Sequence, residues 1–277
     1  MTPTPRVTAN GASIPALGFG TFQMAGDDVV RMVSWALDAG YRHVDTAQGY
    51  RNEVEVGRGI AASGVSRDEV FLTTKVTPRR FTPGDLRASV EESVSALGVD
   101  AVDLVLLHWP NPDVPLADTL GALAQVRERG LTRHVGVSNF PTALLDEAVR
   151  LSDAPLVTNQ VEYHPYLSQQ AVLDAVRRHG MALTAYSPLA QGAVLDDEVL
   201  REVAAGHDAT VGQVTLAWLL AQDGVVAIPK TASEDRAAEN LAALELTLTA
   251  EELTRIDGLA RGHRVIDPDF APRWDAA

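Results

Sequence analysis

Apolar positions along the chain fall into two textures. Short β-leaning runs recur at Val70–Thr74, Val102–Leu107, His134–Val137, Leu156–Val157, Ala182–Ala185 and Val225–Ile228. Between them, apolar residues recur at helical spacing. Val29, Val33, Ala36 and Leu37 share one face after the acidic pair Asp27-Asp28, and Leu86, Val90, Val94 and Leu97 share another before Gly98. Leu120, Leu123, Ala124 and Val126 precede Gly130. Val172, Leu173, Ala175 and Val176 precede Gly180, and Val214, Leu216, Ala217 and Leu220 precede Gly224. Glycine stops helices because it tolerates the left-handed conformation at their ends. The order strand, helix, glycine, strand predicts βα units in a parallel sheet.

The number of units selects the architecture. A polar or glycine position closes each strand: Gly20, Asp45, Lys75, His108, Ser138, Gln160, Tyr186 and Lys230, eight in all, with gaps of 25, 30, 33, 30, 22, 26 and 44 residues. Each gap exceeds the length that a parallel crossover needs. Eight units predict an α/β fold of the (β/α)8 TIM-barrel type rather than a doubly wound sheet of five or six strands. The longest gap leaves room for an extra helix near Asp197–Ala205. The opening VTANGASIP places an Asn-Gly pair between short alternating segments, which predicts an N-terminal β-hairpin capping the barrel bottom. No linker or low-complexity tract interrupts the rhythm, so one domain is expected over residues 1–277.

Composition narrows the function. Hydrophobic residues make up 46% of the chain, enough for a sizeable core, and 37 acidic against 23 basic residues give a net charge of −14. Without a basic face a nucleic-acid partner is not expected. No apolar run approaches the ~18 residues of a membrane span, and the N-terminus lacks a signal-peptide core. A cytoplasmic protein is therefore expected. The chain has no cysteine, which excludes disulfides and thiolate chemistry. His43, His134, His179, His207 and His263 show no metal-ligand spacing, and no metal is expected. His164, in the loop sequence Tyr163-His164-Pro165, reads as a packing residue. Only two of the 23 basic residues are lysines, Lys75 and Lys230, so the position of each is informative.

In a barrel, chemistry gathers at the C-terminal ends of the strands. There the pattern places Asp45, Lys75, His108, Asn139, Gln160 and Tyr186, with Tyr50 at the far end of the loop after Asp45. A tyrosine titrates near 10, too high for efficient proton donation at neutral pH. An adjacent ammonium would lower that value, Asp45 could hold Lys75 charged and aimed at Tyr50, and His108 could donate to a substrate oxygen. This set protonates an oxygen on which charge is building. It contains no nucleophile, so it calls for a partner such as a hydride donor.

The chain resembles the aldo-keto reductases. The resemblance rests on GFGTF at 18–22, DTAQGYRNE at 45–53, TTK at 73–75, LLHWP at 106–110, GVSNF at 136–140, NQVEYHP at 159–165, YSPLAQG at 186–192 and IPKTASEDRAAEN at 228–240, in order over nearly the whole chain. Within the family it is similar to bacterial 2,5-diketo-gluconate and methylglyoxal reductases, and the ending FAPRWD supports that subgroup. The resemblance implies NADPH as cofactor and a monomeric enzyme reducing small carbonyls: aldehydes, 2-oxoaldehydes, keto sugars or keto esters. It implies a tetrad of Asp45, Tyr50, Lys75 and His108 with Tyr50 as general acid. It implies nicotinamide contacts from Ser138, Asn139 and Gln160, and stacking by Tyr186. Ser187, Leu189 and Gln191 would follow the pyrophosphate. Lys230, Thr231 and Arg236 would hold the 2′-phosphate, with Glu239 and Asn240 at the adenine end. Trp109 and Phe22 would line the substrate pocket. The short loop after His108 and the few residues after Gly262 suggest an open mouth for small polar substrates. A basic segment before a helix also suits phosphate on physical grounds, although Glu234 and Asp235 lie beside it. A cofactor-sensing module on the same fold with little turnover is the alternative reading, and a barrel lyase using Lys75 as a Schiff base is a weaker one.

Overall fold

The computed structural model describes residues 4–275. Strands β1 (Arg6–Ala9) and β2 (Ala12–Pro15) pair antiparallel, with Arg6 opposite Pro15. Asn10 and Gly11 turn between them at φ 43° and 86°, the left-handed pair that a two-residue hairpin loop demands. The hairpin buries Ala9, Ala12 and Ile14 against Leu104, Val157 and Val226. It plugs the end of the barrel away from the polar strand termini, as the Asn-Gly signal predicts.

Eight parallel strands follow, each hydrogen-bonded to the next in chain order: β3 (Phe19–Gly20), β4 (His43–Asp45), β5 (Phe71–Val76), β6 (Val102–Leu107), β7 (Thr132–Ser138), β8 (Leu156–Glu162), β9 (Ala182–Tyr186) and β10 (Val225–Ala227). Parallel bridges Leu17–Ala227 and Gly20–Lys230 join the first strand to the last. The Gly18 and Gly20 amides donate to Ala227 O at 2.8 Å and Pro229 O at 3.0 Å. A Cβ on Gly18 would lie 2.7 Å from the His43 ring and 2.9 Å from Ile228. A Cβ on Gly20 would lie 3.0 Å from Ile228 O, so at the barrel seam Gly18 leaves room for neighbouring side chains and Gly20 for the facing backbone.

Side chains alternate along the strands. In β6, Leu104 and Leu106 fill the barrel while Val105 and Leu107 pack outward. Helices α1 (Asp27–Ala39), α2 (Glu53–Ala62), α3 (Pro83–Leu97), α4 (Leu116–Glu128), α5 (Thr142–Leu151), α6 (Gln170–Arg178), α7 (Glu198–Gly206), α8 (Val211–Leu220), α9 (Glu234–Ala242) and α10 (Ala250–Asp257) follow in chain order. The face of α1 foreseen from the apolar spacing, Val29, Val33, Ala36 and Leu37, is buried. The extra helix expected before strand eight is α7, started by the Asp197 side chain accepting from the Leu200 amide. No helix among the described residues is long and apolar enough to cross a membrane.

Beyond α10 the chain runs without regular structure as a strap. The Arg261 and His263 amides donate to Tyr166 O at 3.1 and 3.0 Å. The Val265 and Ile266 amides then donate to the two carboxylate oxygens of the buried Glu162 at 2.7 and 2.8 Å. His164 lies 2.8 Å from the same carboxylate, which makes it the packing residue expected from the sequence. At the far end Asp275 accepts from the Thr142 amide and hydroxyl at 2.9 and 2.8 Å, at the start of α5.

Removing the Glu162 carboxylate strands two amides and an imidazole, at a cost of about 1–3 kcal/mol for each buried group left unpaired. Glu162→Ala is expected to release the strap locally. Tryptic cleavage after Arg264 and Arg273 should then accelerate severalfold while the barrel resists. Wild-type cleavage rates in that variant would mean that the Tyr166, Asp275 and aromatic contacts suffice to hold the strap.

Candidate active site

The site begins with a buried cation. Lys75, in the last turn of pleat of β5, is fully buried, and an ammonium without partners there would cost several kcal/mol. Its three N–H groups have three acceptors. They are the Asp45 carboxylate at the end of β4, Thr46 O at 3.0 Å and the Tyr50 hydroxyl oxygen at 3.1 Å. The other Asp45 oxygen accepts from Gln160 Nε2 of β8 at 2.8 Å. Because the Tyr50 oxygen accepts from Lys75, its own O–H is free to donate elsewhere.

Local structure aims Tyr50. It ends a short 3₁₀ turn, Gln48–Tyr50, that follows the β4 strand. Gln48 anchors that turn, donating to Ser89 O and Ser93 Oγ at 3.0 Å each and accepting from the Thr77 amide at 3.1 Å. Asn52 anchors the other side, donating to Thr21 O at 2.9 Å and Met24 O at 3.1 Å and accepting from the Thr46 hydroxyl at 2.8 Å. Arg51 between them is left-handed at φ 58°. Sequence reasoning assigned no role to Gln48, Asn52 or Glu162. The signal available was two carboxamides bracketing a tyrosine within a loop too short to need them.

His108, directly after β6, places its ring 5.7 Å from that of Tyr50, edge to face. Burial, with the Lys75 charge adding to it, lowers its pKa to about 3, so the imidazole is neutral at physiological pH. Burial also pushes the Tyr50 phenol above its ordinary value, and this outweighs the opposing pull of Lys75. The sequence argument foresaw only the pull. Burial alone would lower the Lys75 pKa, but Asp45 and then Tyr50 more than offset it, and the ammonium stays charged.

The remaining expected residues form two groups. Ser138, Asn139 and Gln160 are buried together beside the tetrad. Ser138 Oγ donates to Gln160 O at 2.8 Å, and Asn139 Nδ2 donates to His108 O and Ser138 Oγ, both at 3.0 Å. Asn139 Oδ1 accepts from the Tyr186 hydroxyl at 2.8 Å. Asn139 is left-handed at φ 64°. After Tyr186 the loop is left-handed at Ser187, Ala190, Gln191 and Gly192, with Leu189 between them half-buried. The second group lies across the seam. Lys230 bridges Gly20, Thr231 Oγ1 accepts from the Ser233 amide at 3.1 Å, and Ser233 caps α9. Lys230, Arg236 and Glu239 are exposed, while Asn240 is 7% exposed.

The rim is aromatic. The Phe22 ring lies 5.0 Å from Tyr50 and is 45% exposed. Trp109, next to His108, meets Phe270 at 5.5 Å and Trp274 at 5.9 Å, and Arg264 lies over Trp274 at 3.8 Å. The short tail therefore does not leave the mouth open, because the strap folds back and walls it. A separate cavity of about 260 Å³ between the strap and the start of α6 contains none of the tetrad. Among the described residues no cluster suited to a metal ion occurs.

Comparison with known proteins places the chain in a family. The Aldo/keto reductase family model matches residues 16–261. The chain is 42% identical to methylglyoxal reductase DkgB of Salmonella typhimurium over 267 residues, 95% of this chain and 100% of that protein. It is 39% identical to 2,5-diketo-D-gluconic acid reductase B of Corynebacterium sp. over 268 residues, 96% of each. A crystal structure of a candidate 2,5-diketo-D-gluconic acid reductase B superposes with a TM-score of 0.97 at 51% identity, covering 99% of this chain and 98% of the other. An aldo-keto reductase of Bombyx mori in complex with NADP superposes at 0.89 with 33% identity, covering 96% of each. The chain belongs to the aldo/keto reductase family.

Proposed function

We propose that the protein is an NADPH-dependent carbonyl reductase acting on small aldehydes, 2-oxoaldehydes, keto sugars or keto esters, with Tyr50 as general acid. The observation that carries this reading is the saturated Lys75 ammonium. Two of its donors are spent on Asp45 and Thr46 O, and the third lies on the Tyr50 oxygen at 3.1 Å. That arrangement stabilises the phenolate formed when Tyr50 gives its proton to a substrate oxygen, and it leaves the O–H free to do so. Neutral His108 supplies a second donor to the same oxygen as negative charge develops. The aromatic rim of Phe22, Trp109, Phe270 and Trp274 would limit water around the reacting carbonyl of a bound substrate. Methylglyoxal and 2,5-diketo-D-gluconic acid, named for the relatives, are the first substrates to try.

The residues present fit a phosphorylated dinucleotide. Tyr186 stands at the mouth beside the Ser138, Asn139 and Gln160 carboxamide and hydroxyl groups, which suit an amide-bearing ring. Left-handed residues at 187 and 190–192 turn backbone toward the same edge, a geometry suited to close approach by a pyrophosphate. Lys230 and Arg236 flank the capped N-terminus of α9, and neither forms an ion pair among the described residues. When bound, NADPH supplies the hydride that reduces the carbonyl carbon. Asp45, Lys75, Tyr50 and His108 then manage the charge and the proton at the oxygen.

Steady oxidation of NADPH with methylglyoxal or a keto ester is the direct test. Tyr50→Phe should leave NADPH binding near normal and lower turnover about 10²–10⁴-fold, the usual span of general acid catalysis. Near-normal turnover would remove Tyr50 as the acid. Lys75→Arg should fail to rescue, because a planar fork cannot reproduce three convergent donors in a fully buried space. Since the folded-state pKa of His108 is about 3, the imidazole stays neutral as pH falls from 7 to 5. The rate is therefore expected to show no inflection near the ordinary histidine value over that range. A loss centred near 6.5 that His108→Gln abolishes would contradict this. Arg236→Ala should weaken NADPH roughly tenfold or more, as loss of a charge-assisted phosphate contact does, and leave NADH nearly unchanged. Equal losses would place the 2′-phosphate elsewhere.

A further inference from the structure

The candidate phosphate site carries charges of both signs in almost equal number. Lys230 and Arg236 stand beside Glu234 and Asp235 of the first turn of α9. Carboxylates there suit the positive end of the helix dipole, but they repel an incoming phosphate that uses the same helix end. A residue from another element changes that balance. Arg31, in α1, reaches across to α9 and donates through Nη1 to Glu234 Oε1 at 2.6 Å. Its Nη2 lies 3.5 Å from Ala232 O, in the turn between Lys230 and α9, and 3.3 Å from Asp28. The guanidinium is thus fastened to the segment proposed to receive the 2′-phosphate.

Stability does not account for this contact. The Arg31 and Glu234 side chains are 48% and 42% exposed, and exposed pairs contribute little to folding. What the contact changes is the local field. Arg31 sets a positive charge directly against Glu234, in a neighbourhood where Asp28, Glu234 and Asp235 outnumber Lys230 and Arg236. Without it the neighbourhood is net negative, and Glu234 is free to turn toward the phosphate.

We infer that Arg31 is a positioning residue for cofactor choice: by holding Glu234 and neutralising it, Arg31 keeps the α9 N-terminus receptive to a 2′-phosphate and so favours NADPH over NADH. The inference rests on the NADPH reading above and adds a determinant outside the Lys230–Asn240 segment. It also answers the conflict between the basic residues and the adjacent Glu234 in the sequence, since the carboxylate is already occupied.

Dissociation constants for NADPH and NADH, measured by fluorescence titration without substrate, test it. Wild type should prefer NADPH. Arg31→Ala should weaken NADPH roughly fivefold, the scale of a strong exposed charge effect, with NADH unchanged and the thermal midpoint within a few degrees of wild type. Adding Glu234→Gln to Arg31→Ala should restore most of the NADPH affinity, because the charge that Arg31 masks is then gone. If wild type prefers NADPH but Arg31→Ala leaves the preference intact, the inference fails and the cofactor reading stands. If the double variant is not restored, Arg31 does not act through Glu234 and the mechanism inferred here is wrong. If wild type shows no preference for NADPH, the cofactor reading itself fails and the inference with it.

Discussion

A lysine ammonium sealed inside the barrel is the constraint around which the site is organised. Desolvating that charge is unfavourable by several kcal/mol unless each donor finds an acceptor. β4 and the turn after it supply all three acceptors to Lys75 of β5, and β8 adds Gln160 to the far oxygen of Asp45. Those strands can converge only because the sheet closes. The glycine seam between β3 and the end of β10, with a 2.8 Å amide-to-carbonyl contact at Gly18, closes the sheet and so brings Gln160 of β8 across the barrel to Asp45.

Around this fixed centre the protein uses two kinds of support. Carboxamides and hydroxyls fasten the backbone near each reactive group. Gln48 and Asn52 brace the Tyr50 turn, and Asn139 ties His108 O to the Tyr186 hydroxyl at 3.0 and 2.8 Å. Aromatic rings and the strap then wall the mouth. The strap is held by Glu162, a carboxylate with no exposure at the end of β8. Polar groups set positions because hydrogen bonds are directional, and aromatic rings exclude water because their surface is broad and rigid.

The two lysines illustrate two uses of one residue type in an arginine-rich chain. Lys75 is fully buried, and its compact ammonium meets three acceptors from a single nitrogen, which no guanidinium nitrogen can do. Lys230 is exposed, next to the barrel seam and the cap of α9. Arg31 adds the arginine counterpart, a forked cation that reaches Glu234, Asp28 and Ala232 O together.

Much of this was legible in the chain before any coordinates. The 8-unit rhythm specified the barrel and the Asn-Gly pair the hairpin, because period and turn chemistry are local properties, and the pattern also named Asp45, Tyr50 and His108, side chains that the structure brings around Lys75. α2 was not legible. Its Gly57 weakens the helical pattern, and it is there because a Cβ would collide with the Leu97 carbonyl of α3. The walled mouth, the Glu162 clamp and the Arg31–Glu234 contact were not legible either. Each joins residues about 100 to 200 positions apart in the chain. The upward shift of Tyr50 was likewise hidden, since burial is decided by what packs around a group. Sequence determined which groups stand at the strand ends. Only the closed barrel decided which of them touch, how deeply they are buried and therefore what charge each carries.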